Sequence, residues 1–232
     1  MHLKNKIVLI TGSSMGIGKS IAEKFSREGA ATIITSRDFT KIKKISEKIK
    51  NSYPLELDVT NKQSVKKAVK QIITKFKKID ILINNAGIAE YGKVADVDYV
   101  HFETQIKTNL LGTICCTKEV LPYMIKQKSG KIINISSGSG KKGAAETSAY
   151  CASKFGVVGF TESIAEEFKQ YNINVHLINP GKVNTTIHKI PHNDSRREKM
   201  LLPEDIANTC AFLAKLPERV DIREMNVKPW RL

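Results

Sequence analysis

The sequence predicts a doubly wound α/β domain: a seven-stranded parallel sheet with helices on both faces. Short β-branched apolar runs alternate with longer segments of helical period, the signature of repeated βαβ units. Apolar residues make up 41% of the 232 residues, enough for one sizeable core. No long polar or Pro/Gly-rich stretch divides the chain, so one domain over 1–232 is expected.

Strands are expected at 6–11, 31–36, 54–59, 80–84, 131–136, 174–179 and 221–227, each a short run rich in Ile, Val or Leu between turn-forming residues. Helices are expected at 16–28, 39–51, 62–76, 99–126, 147–171 and 203–213, where apolar residues recur at helical spacing between lysines and glutamates. In such a sheet, ligands bind beyond the carboxyl ends of the strands. The residues just after each strand are therefore the ones to read for chemistry.

Composition narrows the partners. The formal net charge is +15, but the lysines are scattered along helical stretches such as 41–50 and 62–78 without aromatic interleaving, which reads as solvated faces rather than a nucleic-acid surface. The N-terminus has no secretory pattern and nothing approaches membrane-spanning length, so the expectation is a cytoplasmic protein that does not bind membranes. Cys115, Cys116, Cys151 and Cys210 form no C-x-x-C pair, and His188 and His192 suit no metal pattern; reduced thiols and no metal are expected.

After the first strand comes Thr11-Gly12-Ser13-Ser14-Met15-Gly16-Ile17-Gly18, opening a helix. One glycine lets the chain reverse, a second lets backbone approach a pyrophosphate, and a third permits close helix packing. A helix N-terminus then offers its N–H groups to phosphate. Further along stands Tyr150-Cys151-Ala152-Ser153-Lys154 at the start of a helix. Residues four apart share a helical face, so Tyr150 and Lys154 can address one ligand together. A free phenol, with a pKa near about 10, is a poor base, and a nearby ammonium favours its ionised form.

The spacing T-G-x-x-x-G-x-G, followed by Asn84-Asn85-Ala86-Gly87, Ser137, Tyr150-x-x-x-Lys154 and Pro180-Gly181, resembles the short-chain dehydrogenase/reductase family in order and spacing from Lys6 to about Val227. The resemblance implies the Rossmann form of the doubly wound fold and a nicotinamide dinucleotide held by Gly12, Ser14, Met15, Gly16, Ile17 and Gly18. NAD users in that family end the second strand with an acidic residue; here Ser36 and Arg37 stand there, which implies NADP(H) with Arg37 pairing the 2′-phosphate. Many NADP users also carry a basic residue where this chain has Met15. The family places an aspartate, here Asp58, at the adenine amino group beside Val59; read by itself, Asp58 serves equally as a cap of the following helix, a place for which Thr60 and Asn61 also compete. Asn85, Ala86 and Gly87 would lie against the adenosine ribose, and Pro180, Gly181, Val183 and Thr185 would meet the nicotinamide carboxamide.

The same resemblance implies a catalytic set of Asn109, Ser137, Tyr150 and Lys154. Tyr150 exchanges a proton with the substrate oxygen, Ser137 holds that oxygen, Lys154 lowers the phenol pKa and binds the nicotinamide ribose, and the Asn109 carbonyl holds a water in the relay. Ser136 is the adjacent candidate for the serine; strand alternation lets only one of the pair face the site, and spacing favours Ser137. Residues 185–200, with Pro191, His192, Asn193, Asp194, Arg196 and Arg197, would form a substrate lid. The implied activity is interconversion of a carbonyl and an alcohol, on a 3-oxoacyl thioester or on a small hydroxy acid or carbonyl compound.

Acyl carrier protein is a candidate partner, with Lys126, Lys128 and Lys131 placed to form a basic docking patch and Tyr171 where the bacterial reductases have a second docking arginine. A homodimer or homotetramer is expected, although the tail Asn226-Val227-Lys228-Pro229-Trp230-Arg231-Leu232 replaces the family's glycine-rich end, which takes part in the tetramer interface. The competing reading is a non-catalytic nucleotide-sensing or nucleic-acid-binding protein of the same fold, which would not need the full set of four residues.

Overall fold

The computed structural model describes residues 3–188, 191 and 193–230. Seven strands, β1 (Ile7–Ile10), β2 (Ala31–Ser36), β3 (Ser52–Glu56), β4 (Ile81–Asn84), β5 (Gly130–Ile135), β6 (Ile173–Pro180) and β7 (Glu224–Val227), pair in parallel in the order β3-β2-β1-β4-β5-β6-β7. The helices are α1 (Gly16–Arg27), α2 (Phe39–Ser46), α3 (Lys62–Phe76), α4 (Tyr99–Gln105), α5 (Gly112–Gln127), α6 (Ser148–Glu167) and α7 (Pro203–Lys215). This is the expected Rossmann arrangement. The winding reverses between β1 and β4, which opens a crevice at their carboxyl ends.

Both faces of the sheet are buried, which is why its strands read as continuous apolar runs. Val8, Ile10, Ile81, Ile83, Ile133 and Ile178 pack against α1, α2 and α7, through Ile21, Phe25, Ile42 and Leu213 among others. Their alternates, Ile7, Leu9, Leu82, Ile132 and Val175, pack against α3, α5 and α6. Strand pleating thus divides one apolar run between two cores.

Several boundaries differ from those the periodicity predicts. The expected helix 39–51 ends at Ser46, and the third strand runs Ser52–Glu56 rather than 54–59. Asn51 takes a left-handed φ of 53°, and the Ser46 and Ser52 hydroxyls meet at 2.8 Å, closing the turn between helix and strand. Pro54 is tolerated in β3 because that strand is the sheet's edge and pairs with β2 alone. The expected 147–171 helix ends at Glu167 and is followed by a 3₁₀ turn, Lys169–Tyr171. The last strand begins only at Glu224.

The largest difference lies in the expected helix 99–126. It is three pieces: α4, a π-helical turn at Ile106–Leu111, and α5. A π turn widens the coil by one residue and loosens its backbone hydrogen bonding, and such turns gather at functional sites. Here it carries Asn109.

Lys131 is not a docking residue. It is buried, and its ammonium donates to the Leu213 and Leu216 carbonyls, at 3.1 and 2.6 Å, closing the C-terminal end of α7. The basic patch proposed from the sequence is therefore reduced to Lys126 and Lys128, which are exposed.

Candidate active site and nucleotide cradle

The glycine turn after β1 is built by contact with the loop after β4. Gly12 has φ +63°, and a Cβ there would stand 2.7 Å from the Ala86 Cα; Gly16 has φ +52° and faces Thr185. A Cβ on Gly18 would stand 2.4 Å from both Asn85 Nδ2 and the Gly12 carbonyl, so only glycine lets α1 approach so closely. Asn85 Nδ2 donates to the Thr11 and Gly12 carbonyls at 3.0 Å, and Thr11 Oγ1 accepts from the Asn85 and Ala86 N–H groups at 3.0 Å. Ser13 joins the turn to β2, its Oγ accepting from Thr35 N at 2.7 Å.

Met15 is the N-cap of α1 and supplies no side-chain cap, and among the described residues no side chain accepts from the first N–H groups of that helix at Gly16, Ile17 and Gly18; Ser14 lies half-buried beside them. Those groups need acceptors, and a pyrophosphate provides them. Gly18→Ala should lower stability by about 1–3 kcal/mol through overpacking. Equilibrium urea unfolding reads this, and an unaltered midpoint would show that the turn opens freely.

Arg37 lies beyond the end of β2, exposed, with no ion pair or hydrogen bond among the described residues. Its neighbour Asp38 is spent as the N-cap of α2, accepting from Lys41 N at 2.9 Å. Asp58 is turned into its own loop, accepting from Thr60 N at 2.9 Å and Thr60 Oγ1 at 2.7 Å. The N-cap of α3 is Asn61, not Asp58. Val59 is buried under Gly112, where a Cβ would come within 2.8 Å of it.

On the other side of the crevice, Ser137, Tyr150, Lys154 and Asn109 come together. The two serines after β5 diverge: Ser136 is buried and donates to the Lys154 carbonyl at 3.0 Å, whereas Ser137 stands beside the Tyr150 phenol, close enough to lower its pKa. Ser137 Oγ also accepts from Ser139 N at 3.1 Å, which leaves its own proton free to point at the phenol. Burial pushes the Tyr150 phenol up to about 12, outweighing the lowering effect of Ser137. Lys154 Nζ lies 5.8 Å from the Tyr150 ring centroid and donates to the Ile135 carbonyl at 2.9 Å. Its own pKa is lowered to about 8 by burial.

Asn109 is fully buried, its Nδ2 donating to Ile88 O and Ser153 Oγ, both at 2.9 Å, and its Oδ1 accepting from Ile88 N at 2.8 Å. Its carbonyl accepts from Thr113 Oγ1 at 2.8 Å, leaving a second lone pair available. A Cβ on Gly87 would lie 3.3 Å from Asn109 Oδ1 and 3.6 Å from Lys154 Nζ, so a bare backbone at that position lets the two polar side chains approach.

Pro180 ends β6, and the Gly181 N–H donates to the Val227 carbonyl at 2.7 Å while the glycine lies under Pro229. Val183 is buried and pairs with Leu201, and Thr185 reaches Gly16 across the crevice. Of the expected lid, Thr186–His188 and Ser195–Lys199 form 3₁₀ turns; residues 189, 190 and 192 lie outside the described residues. Arg197 is buried and bonds Asn184 Oδ1 and the Pro191 carbonyl, so it fastens the lid; Arg196 pairs with Asp194 on the surface.

Sequence reading missed two residues of this region. Gln105, buried one helical turn before Asn109, bonds both backbone groups of Glu90, and Tyr91 stands edge-on to Tyr150. A buried Gln inside an apolar helical pattern is the one sequence signal that could have drawn attention. Among the described residues no group of three or more His, Cys, Asp or Glu could hold a metal ion, and no helix is long and apolar enough to cross a membrane. All four cysteines are free thiols.

A doubly wound sheet with a glycine cradle at its switch point and a part-buried Ser-Tyr-Lys-Asn cluster across the crevice defines an oxidoreductase that uses a nicotinamide dinucleotide. The chain belongs to the short chain dehydrogenase family, whose model matches residues 6–195. It is 37% identical to a (2S)-[(R)-hydroxy(phenyl)methyl]succinyl-CoA dehydrogenase subunit of Thauera aromatica, over 92% of this chain and 91% of that one. A 3-oxoacyl-[acyl-carrier-protein] reductase of Aquifex aeolicus is 35% identical, again over 92% and 91%. Among solved structures, a metagenomic short-chain oxidoreductase in complex with NADP superposes with a TM-score of 0.86 at 29% identity, covering 98% of both chains.

Proposed function

We propose that this chain is an NADP(H)-dependent carbonyl/alcohol oxidoreductase in which Tyr150 exchanges the proton. The observation that carries the reading is the convergence of Ser137 and Lys154 on the Tyr150 phenol, with Lys154 Nζ 5.8 Å from the Tyr150 ring centroid and Ser137 close enough to lower the phenol's pKa. The residues present fit a dinucleotide: Gly12, Gly16 and Gly18 leave room for its pyrophosphate, and the first N–H groups of α1 receive the negative charge. Asn85, Ala86 and Gly87 would lie along the adenosine ribose, Asp58 and Val59 near the adenine, and Pro180, Gly181, Val183 and Thr185 beside the nicotinamide. Arg37 supports the choice of NADP(H), as an unengaged guanidinium where a 2′-phosphate would stand. The bound nucleotide supplies or accepts the hydride.

The chain's own residues manage the oxygen and the proton. Ser137 donates a hydrogen bond to the substrate oxygen and orients it beside the phenol. Tyr150, kept neutral by burial, gives its proton to that oxygen as negative charge grows there. Lys154, charged below about 8, stabilises the phenolate left behind, and Asn109 holds the backbone that completes the path back to solvent. Turnover in the reducing direction should therefore fall as pH rises through about 8, where Lys154 loses its charge. A pH–rate profile flat from 6 to 10 would remove Lys154 from this role.

The substrate is a carbonyl compound, with a 3-oxoacyl thioester and a small hydroxy acid or ketone as the candidates. The Thauera and Aquifex relatives are named for thioester substrates, which favours the first. Acyl carrier protein remains a candidate partner through the exposed Lys126 and Lys128. Leu111 and Phe155 are both left about half exposed, and pairing of copies into a dimer or tetramer would cover them.

A panel of acetoacetyl thioesters, 3-hydroxy acids, diketones and aldehydes, followed by NADPH absorbance, tests the assignment. Oxidation of NADPH by at least one carbonyl is expected. Salt-sensitive polynucleotide binding with no turnover on any member would favour a non-catalytic role instead.

A further inference from the structure

We propose that Tyr91 is the residue that selects the carbonyl's substituent, favouring a flat aromatic group, and that Gln105 positions it. The proposal rests on the oxidoreductase reading above and adds a substrate class to it.

The loop after β4 is held unusually firmly for a segment without regular structure. Asn109 bonds both backbone groups of Ile88, at 2.8 and 2.9 Å. Gln105 does the same for Glu90, accepting from its N–H at 3.1 Å and donating to its carbonyl at 3.2 Å. Two amides one helical turn apart therefore act like the neighbouring strand of a sheet, gripping alternate residues of an extended segment. Just beyond, Gly92 N donates to the Glu146 carbonyl at 2.9 Å, which ties the loop to the stretch before α6. Tyr91 lies between the second and third of these anchors.

Its ring is thereby set 6.4 Å from that of Tyr150, with the planes at 76°. That is the edge-to-face arrangement aromatic rings prefer. Although it packs against Tyr150 at the centre of the site, Tyr91 remains 42% exposed. The stretch 138–145 that follows Ser137 is made mostly of small residues, Gly138, Ser139, Gly140, Gly143, Ala144 and Ala145, with the exposed Lys141 and Lys142 among them and Lys141 paired to Glu224. A Cβ on Gly143 would meet nothing within 4 Å. A ketone whose oxygen reaches Ser137 and Tyr150 thus has one bulky aromatic wall and one open wall for its substituent. A planar ring satisfies both, gaining contact with Tyr91 without colliding with the glycine-rich side.

The chemistry required of Gln105 is specific. Leucine fills a similar volume but leaves the Glu90 N–H and carbonyl without partners, which frees the loop. Glutamate keeps the acceptor for the N–H and loses the donor.

The test uses the full chain with NADPH and two probe ketones, acetophenone and 2-butanone. The ratio of their kcat/KM values should fall by about tenfold in Tyr91→Leu, the range a single apolar contact can discriminate, and stay within about twofold in Tyr91→Phe. In Gln105→Leu, KM for acetophenone should rise about tenfold more than KM for 2-butanone, with Gln105→Glu intermediate. Should Tyr91→Leu fail to fold, the Gln105→Leu ratio decides alone.

A ratio unmoved in these variants, an equal loss on both ketones, or a wild-type chain that reduces other carbonyls but not acetophenone overturns the proposal and leaves the oxidoreductase reading standing. A wild-type chain that oxidises NADPH with no carbonyl at all overturns both.

Discussion

Tyr150→Phe should lower kcat by about 10²- to 10⁴-fold, the usual worth of a positioned acid, while NADPH affinity stays within about threefold. The substitution removes one oxygen and almost nothing else. The ring still meets Tyr91 edge-on, Lys154 still bonds the Ile135 carbonyl, and the glycine cradle lies on the far side of the crevice. The stability cost should be small, about 1 kcal/mol for the lost Ser137 contact, because the phenol is pushed up to about 12 and already behaves as a neutral group. A thousandfold loss corresponds to about 4 kcal/mol of transition-state stabilisation at 1.36 kcal/mol per decade. Steady-state kinetics, NADPH fluorescence titration and thermal unfolding separate the three quantities. Undiminished turnover would mean that the proton comes from another group.

The fold was legible because both faces of the sheet are covered. Ile7 to Ile10 and Ile81 to Ile83 read as continuous apolar runs for that reason. Boundaries were less legible where a local interaction overrides periodicity. The helical pattern of 39–51 continues past Ser46, yet the Ser46–Ser52 hydroxyl contact and the left-handed Asn51 end the helix early. The π turn at Ile106–Leu111 leaves no mark in hydrophobic spacing, since apolar residues continue through it.

The site was legible where short motifs sit at strand ends, because Gly12, Ser137 and Pro180 occupy positions fixed by the sheet itself. Strand alternation implied that only one of the two serines faces the site and spacing favoured Ser137; in the structure Ser137 stands beside Tyr150, whereas Ser136 turns back to α6. What could not be read was how Lys154 and Tyr150 influence each other. Four residues apart on a helix puts the ammonium and the phenol on one face, but says nothing of the Ile135 carbonyl that the ammonium bonds or of the burial that raises the phenol's pKa and lowers the ammonium's. Gln105 and Tyr91 were equally hidden. Their roles depend on a long-range approach between the loop after β4 and α4, which no short window of sequence contains.

Arg37→Asp should reverse the cofactor preference, lowering kcat/KM for NADPH by about 10²- to 10³-fold and improving NADH. The expected size follows from charge-assisted hydrogen bonds worth about 1.5–3 kcal/mol, with like-charge repulsion against the 2′-phosphate added when the sign is inverted. At about 1.4 kcal/mol per decade the lost hydrogen bonds account for about 10- to 10²-fold and the repulsion for the remaining decade. Because Arg37 is exposed and engages nothing among the described residues, its replacement should leave thermal stability within about 0.5 kcal/mol, so any change in cofactor use is not a folding effect.

The new carboxylate also gains a use in the other direction. It stands where it can accept from ribose hydroxyls, a place Asp38 does not fill because its carboxylate is committed to capping α2. Arg37→Lys is the informative intermediate: it keeps the charge and loses the planar fork, so a partial fall for NADPH with no gain for NADH separates geometry from charge. An NADPH/NADH ratio that does not move in Arg37→Asp would place the source of cofactor choice elsewhere in the cradle, with Met15 and Ser36 the next positions to change.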